Sequence, residues 1–81
     1  MIPIDPDGPV PLYRQVVDAI TARITSGELP PGRPIPSVAQ LQQETGLARG
    51  TILHAVRVLV AEEWVEIVRG RGTFVRGRPE D

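Results

Sequence analysis

The chain has 81 residues, no cysteine, one histidine and a formal net charge of −1. A single small domain of this size buries only roughly 60% of the surface its unfolded chain exposes. Without cysteine there is no disulfide staple and no zinc finger, so neither a metal nor a cofactor is expected. All nine basic residues are arginine, which excludes a Schiff-base lysine and a Gly-Lys-Ser/Thr phosphate loop. Ser26, Ser37 and His54 do not assemble into a hydrolytic triad, and no catalytic residue is expected. No apolar run is long enough to span a membrane. Residues 1–5 lack the charged and apolar regions of a signal peptide, so the expected location is the cytoplasm. A near-neutral sum argues against indiscriminate nucleic-acid binding. The distribution is uneven: Asp5, Asp7, Asp18, Glu28 and Glu44 come early, while Arg69, Arg71, Arg76 and Arg78 gather late with no acid among them. Such an arrangement is a directed electrostatic footprint.

Residues 1–10 read as an extended arm, since four prolines and a glycine fall within the first eleven positions. A first helix follows Pro11. Leu12, Val16, Ile20 and Ile24 recur every fourth residue, and Tyr13, Val17 and Ala19 widen the stripe. Gly27, after Ser26, suits its C-terminal cap. Pro31-Gly32 fits the centre of a type II turn, and Pro34 and Pro36 keep the chain extended. Ser37-Val38-Ala39-Gln40 is a capping box, with Pro36 and Leu41 as its hydrophobic staple. The second helix should run from about Val38 to Thr45 and stop at Gly46. Val38 and Leu41 should face inward, and Gln40 and Gln43 outward to water or a phosphate.

From Thr51 to about Glu62 a third helix buries Ile52, Ala55, Val56, Leu59 and Val60 as one stripe. Off that stripe, Arg49, Leu53 and Arg57 are four apart and share a face, with Gly50 and His54 beside them. This face holds two arginines and no acid. Residues 64–68 and 73–76 alternate as two strands around Arg69-Gly70-Arg71-Gly72. Trp64, at the start of a strand, is expected in the core. Residues 77–81 are expected to be a disordered tail.

Helix, glycine turn, helix with a basic N-terminal face is the helix-turn-helix plan, in which the second helix offers its first residues to base edges in the major groove of double-stranded DNA. The hairpin adds a wing. The expected fold is therefore mainly α with a small β hairpin: a winged helix-turn-helix of three helices and a two-stranded wing, over residues 11–76. Two other readings stay open, a winged-helix protein-interaction module and an architectural DNA-binding accessory protein without promoter control.

Several short motifs, in order, resemble the N-terminal domain of the GntR family of bacterial transcription regulators. They are Pro11-Leu12-Tyr13-Arg14-Gln15-Val16, Ser26 to Gly32, Ile35-Pro36-Ser37, Leu47 to Ile52, and Gly70 to Val75. The resemblance implies a winged helix that binds an operator, of two-fold symmetry, as a homodimer. It implies that Arg49 and Thr51 contact DNA at the start of the recognition helix, and that Gly70, Arg71 and Gly72 reach the minor groove. A narrow, strongly negative groove favours arginine. With the residues above, the expected DNA-contacting set is Ser37, Arg49, Gly50, Thr51, Leu53, His54, Arg57, Arg69, Gly70, Arg71 and Gly72.

The departures from the family pattern are specific. Val38 and Ala39 stand where an acid and an arginine are usual. Ala48 replaces the serine that usually caps the third helix, and Leu53 replaces an arginine. Glu63 stands where glycine usually ends that helix. Two usual DNA contacts are thus missing, and weaker binding is expected. The resemblance also implies a C-terminal domain that binds an effector and holds the dimer, but 81 residues leave no room for one, so no small-molecule effector domain is expected in this chain.

Overall fold

The computed structural model describes residues 2–77. Its elements run α1 (Leu12–Thr25), α2 (Val38–Thr45), α3 (Arg49–Ala61), β1 (Val65–Val68) and β2 (Gly72–Val75). This is the three-helix, two-strand arrangement expected, with α3 starting at Arg49 rather than Thr51. Residues 78–81 of the expected tail lie outside the described residues.

One apolar stripe from each helix builds the core. Val16, Val17 and Ile20 come from α1, Leu41 from α2, and Ile52, Ala55 and Leu59 from α3. Val65 and Val75 close it from the base of the hairpin. Trp64 is half-buried and packs against this cluster. Val56 and Val60, expected in the stripe, are only half-buried at its margin. Among the described residues no polar or charged residue is buried, so the centre of the fold rests on apolar burial alone.

The joints follow local rules. Past the C-cap Ser26, the N–H of Leu29 donates to Arg23 O at 2.9 Å. The Arg33 N–H closes on Pro30 O at 3.2 Å around Pro31-Gly32, with Gly32 at φ 86°, as a type II turn requires. The capping box at Ser37 is complete. Gly46 ends α2 in the left-handed region and its N–H donates to Gln42 O at 2.7 Å. Three residues later α3 begins.

Two features were not expected from the sequence. Ile2, at the far end of the arm, is buried in the core. Gln15 of α1 fastens the rest: its Nε2 donates to Asp5 O at 2.8 Å and Val10 O at 2.9 Å, and its Oε1 accepts from the Asp5 N–H at 2.8 Å. The second feature lies at residues 33–35, which pair with β2. The Ile35 N–H donates to Thr73 O at 3.0 Å and the Val75 N–H to Arg33 O at 2.8 Å. Pro34 sits between them opposite Phe74. That position asks for no N–H, so proline is tolerated there.

β1 and β2 pair antiparallel, with Val65 opposite Val75 and Val68 opposite Gly72. The Arg71 N–H donates to Val68 O at 2.9 Å and closes the tip. Gly70 is the third residue of that turn and has φ 76°, a conformation that costs a side-chain-bearing residue free energy.

Candidate nucleic-acid interface

The α2–Gly46–α3 unit and the hairpin tip enclose one side of the domain. Ser37 heads α2. Its Oγ accepts from the Gln40 N–H at 3.1 Å, while Gln40 Oε1 accepts from the Ser37 N–H at 2.9 Å. The box thus uses acceptors on both side chains and leaves the Ser37 hydroxyl proton and the Gln40 NH2 as donors. Ala39 is exposed beside them.

Arg49 is the first residue of α3 and is exposed. The N-cap before it, Ala48, has extended backbone and makes no side-chain cap bond. Gly50 is exposed, and a Cβ there would meet open space. Thr51 is half-buried, and its N–H is turned inward to Ala48 O at 3.1 Å. Arg57 is exposed two turns beyond Arg49.

Leu53 is half-buried and lines a cleft of about 550 Å³ between α3, the start of α2 and the hairpin. Ser37, Gln40, Val56, Ile67, Arg71, Gly72 and Thr73 also line it. Four of the expected residues, Ser37, Leu53, Arg71 and Gly72, therefore meet around one cavity. Arg49, Gly50 and Arg57 lie outside its walls, and Arg69 and Gly70 are exposed on the turn.

His54, expected on the solvated helix face with a contact to phosphate or base as its functional role, is exposed. The sequence did not show its neighbour: its ring lies flat on Tyr13 of α1, with centroids 4.1 Å apart and planes 7° from parallel. Stacking of two aromatic faces holds it against α1. Sequence reasoning also missed Ile67. It shares a strand face with buried Val65, yet is 64% exposed. The strand pattern shows the face but not where the core beneath it ends.

The arginines divide into two groups. Arg14 on α1 donates from Nη1 to Glu62 Oε2 at 2.8 Å, and its Nε lies 3.3 Å from Asp18. The hydrogen bond from Arg14 holds the Glu62 carboxyl below the usual carboxylate range, and the same bond raises the Arg14 guanidinium. Arg23 donates from Nη2 to Glu44 Oε1 at 2.9 Å and ties α1 to α2. Arg76 lies 3.9 Å from Glu63. Among the described residues, Arg33, Arg49, Arg57, Arg69 and Arg71 meet no carboxylate within ion-pair distance. Another concavity, of about 300 Å³, lies under the arm and has Asp5 and Asp18 in its lining; their charge would repel a phosphate. Among the described residues no cluster of three potential metal ligands occurs, and no helix is long and apolar enough to cross a membrane.

Fold and arginine-lined face together define a winged helix-turn-helix DNA-binding domain. The family model for bacterial regulatory proteins of the gntR family matches residues 12–75. The chain belongs to that family. It is 44% identical over 69 residues to the mannosyl-D-glycerate transport/metabolism system repressor MngR of Escherichia coli (strain K12), covering 85% of this chain and 29% of that protein. YtrA from Sulfolobus acidocaldarius, a GntR-family transcription factor, superposes with a TM-score of 0.87 at 33% identity, covering 96% of this chain and 82% of that one. The DNA-binding domain of AraR in complex with operator ORX1 superposes with a TM-score of 0.82 at 34% identity, covering 91% and 95%. The chain spans only 28–30% of the length of MngR, NagR and a histidine utilization repressor, three curated relatives it matches.

Proposed function

We propose that this domain binds operator DNA sequence-specifically in the control of transcription, in the cytoplasm, with α3 in the major groove and the residue 69–72 turn in the adjacent minor groove. The observation that carries this is the partition of arginines. Those that meet carboxylates sit on α1 or beside the end of α3. Of the five that meet none among the described residues, Arg33 is exposed on the segment that pairs with β2, and the other four, Arg49, Arg57, Arg69 and Arg71, lie on α3 and the hairpin tip, left for phosphates and bases. Arg49 stands where a guanidinium donates two bonds to guanine O6 and N7, and Arg71 where it meets phosphate or minor groove. Leu53 offers only apolar contact, to a thymine methyl, and Ala39 offers neither charge nor hydrogen bond. So few arginines make one copy a weak binder. Two copies on a two-fold symmetric site supply the rest, with half-sites spaced by the dimer.

The test is selection from a random duplex library, followed by titration of the enriched duplex at several salt concentrations. Enrichment of a two-fold symmetric sequence, bound by two copies in sedimentation, is the expected result. Retention of no duplex above the unselected pool would make the domain a protein-interaction module instead.

A further inference from the structure

We infer that Leu53 reads the C5-methyl group of a pyrimidine rather than the base that carries it, so that methylation of a cytosine at that position strengthens binding. The inference rests on the DNA-binding reading above and names the base chemistry that α3 takes. Arg49, Leu53 and Arg57 stand in one row on α3, and Arg49 is exposed at its start. One turn of helix advances about 5.4 Å, and stacked base pairs repeat about every 3.4 Å. Leu53 therefore faces a base pair one or two steps from the one that Arg49 meets.

The side chain dictates what is read there. In the major groove thymine shows an O4 acceptor and a C5-methyl group, and cytosine shows an N4 donor. Leucine neither donates nor accepts, so it leaves O4 and N4 alike without a partner. What it offers is apolar surface. Leu53 is half-buried and lines its cleft with Val56 and the exposed Ile67. Among the described residues no Asp or Glu lines that cleft. A methyl group set there leaves water for hydrocarbon. Ser37, Gln40 and Thr73 share the lining. Their hydrogen bonds rank one base against another, yet they are the same for a base with its methyl and without it. Uracil is thymine without that methyl, and 5-methylcytosine is cytosine with it. The increment due to the methyl is therefore the same on either base. Cytosine methylation, which leaves base pairing intact, acts as a switch on this one contact.

The experiment takes the duplex enriched by selection and replaces each thymine of one half-site in turn by deoxyuridine. At the pair that responds, cytosine and 5-methylcytosine are then compared in place of thymine, with affinity read by fluorescence anisotropy. The wild type should lose about fourfold on deoxyuridine at one pair, the factor for burying one methyl-sized group. It should gain the same factor when cytosine at that pair is methylated. Leu53→Ala withdraws the apolar surface and Leu53→Gln makes it polar. Each, checked for an unchanged thermal transition, should remove most of both effects. A flat wild-type scan would overturn the inference. So would a methyl effect on thymine that cytosine does not share. So would an effect that both variants keep in full, because a reshaped or stiffened duplex would then explain it. Each of these results leaves DNA binding intact. Failure of the selection to yield any bound duplex overturns the DNA reading itself, and the inference with it, and is seen before the scan begins.

Discussion

Arg23 and Arg49 carry the same side chain and do opposite work. Arg23 is 21% exposed and donates to Glu44 at 2.9 Å, joining α1 to α2. Arg49 opens α3, is exposed, and meets no carboxylate among the described residues. A guanidinium that has found its counter-charge within the fold is spent on the fold. One that has not must be hydrated, or wait for an anion. Composition counts both alike, so a net charge of −1 conceals an uncompensated cationic face. The difference also says which arginines to remove in order to lose binding, and which in order to lose stability.

The largest effect should come from Arg49→Ala. The cost should be about 1–3 kcal/mol on the selected duplex and less on random DNA. Fluorescence anisotropy on both duplexes measures it. An equal loss on the two would make Arg49 a phosphate contact rather than a base reader. The midpoint of thermal unfolding should not move, because Arg49 supports nothing inside the domain.

Glu63→Gly sharpens the comparison from the paired side. Glu63 has φ 66°, the only positive value at a non-glycine among the described residues. A left-handed residue with a side chain costs roughly 1–2 kcal/mol. Its one ion pair, with Arg76 at 3.9 Å, joins two exposed side chains and contributes at most about 1 kcal/mol, commonly far less. Glycine should therefore raise stability by about 1 kcal/mol despite losing the pair. A lower unfolding midpoint would mean that the pair outweighs the backbone.

Arg71→Ala should have a smaller and more uniform effect. It removes one cation from the hairpin tip. Binding should weaken alike on most sequences, and the salt slope should fall by about one unit. Titrations at several salt concentrations that keep the wild-type slope would place Arg71 off the DNA.

Much of this was legible in the sequence, and the legible part is local. A capping box spans four residues, so Ser37 and Gln40 announced the start of α2. Gly46 announced its end, and the spacing of Ile52, Ala55 and Leu59 gave the buried face of α3. What escaped depends on partners far along the chain. Ile2 is buried in the core from the far end of an arm that Gln15 bonds at Asp5 and Val10. Pro34 and Pro36 showed an extended chain but not its pairing with β2, where Pro34 falls at the position that needs no donor. His54 stacks on Tyr13 because α1 crosses α3 there. For the site, the four-residue spacing put Arg49, Leu53 and Arg57 in one row, and all three lie on α3. It could not say that Leu53 looks into a cleft with Ile67, or which arginines had carboxylates waiting. The family pattern did point to Glu63: the position that usually holds glycine is the one with positive φ.

The smallest effect tests the paired side through pH. Arg14 and Glu62 join α1 to the end of α3 at 2.8 Å. The Glu62 carboxyl is held below the usual range chiefly by this hydrogen bond, with a lesser one from Trp64. A carboxyl depressed on folding adds stability that is present above its unfolded value and lost as pH falls through its folded value. The raised Arg14 guanidinium stays protonated throughout and adds no pH dependence of its own in that window. Arg14→Gln keeps much of the stem but removes the charge. The variant should be slightly less stable than wild type at neutral pH, and the gap should close as the solution is acidified through the carboxylate range. Because both groups lie at the surface, salt should shrink the gap as well. DNA affinity at neutral pH should be unchanged, since Arg14 already has its counter-charges in Glu62 and Asp18. Paired melting curves at neutral and acidic pH decide the matter. A gap that widens on acidification would reverse the sign of the linkage. Weakened DNA binding by a folded Arg14→Gln protein would show that a carboxylate partner does not keep an arginine out of the interface.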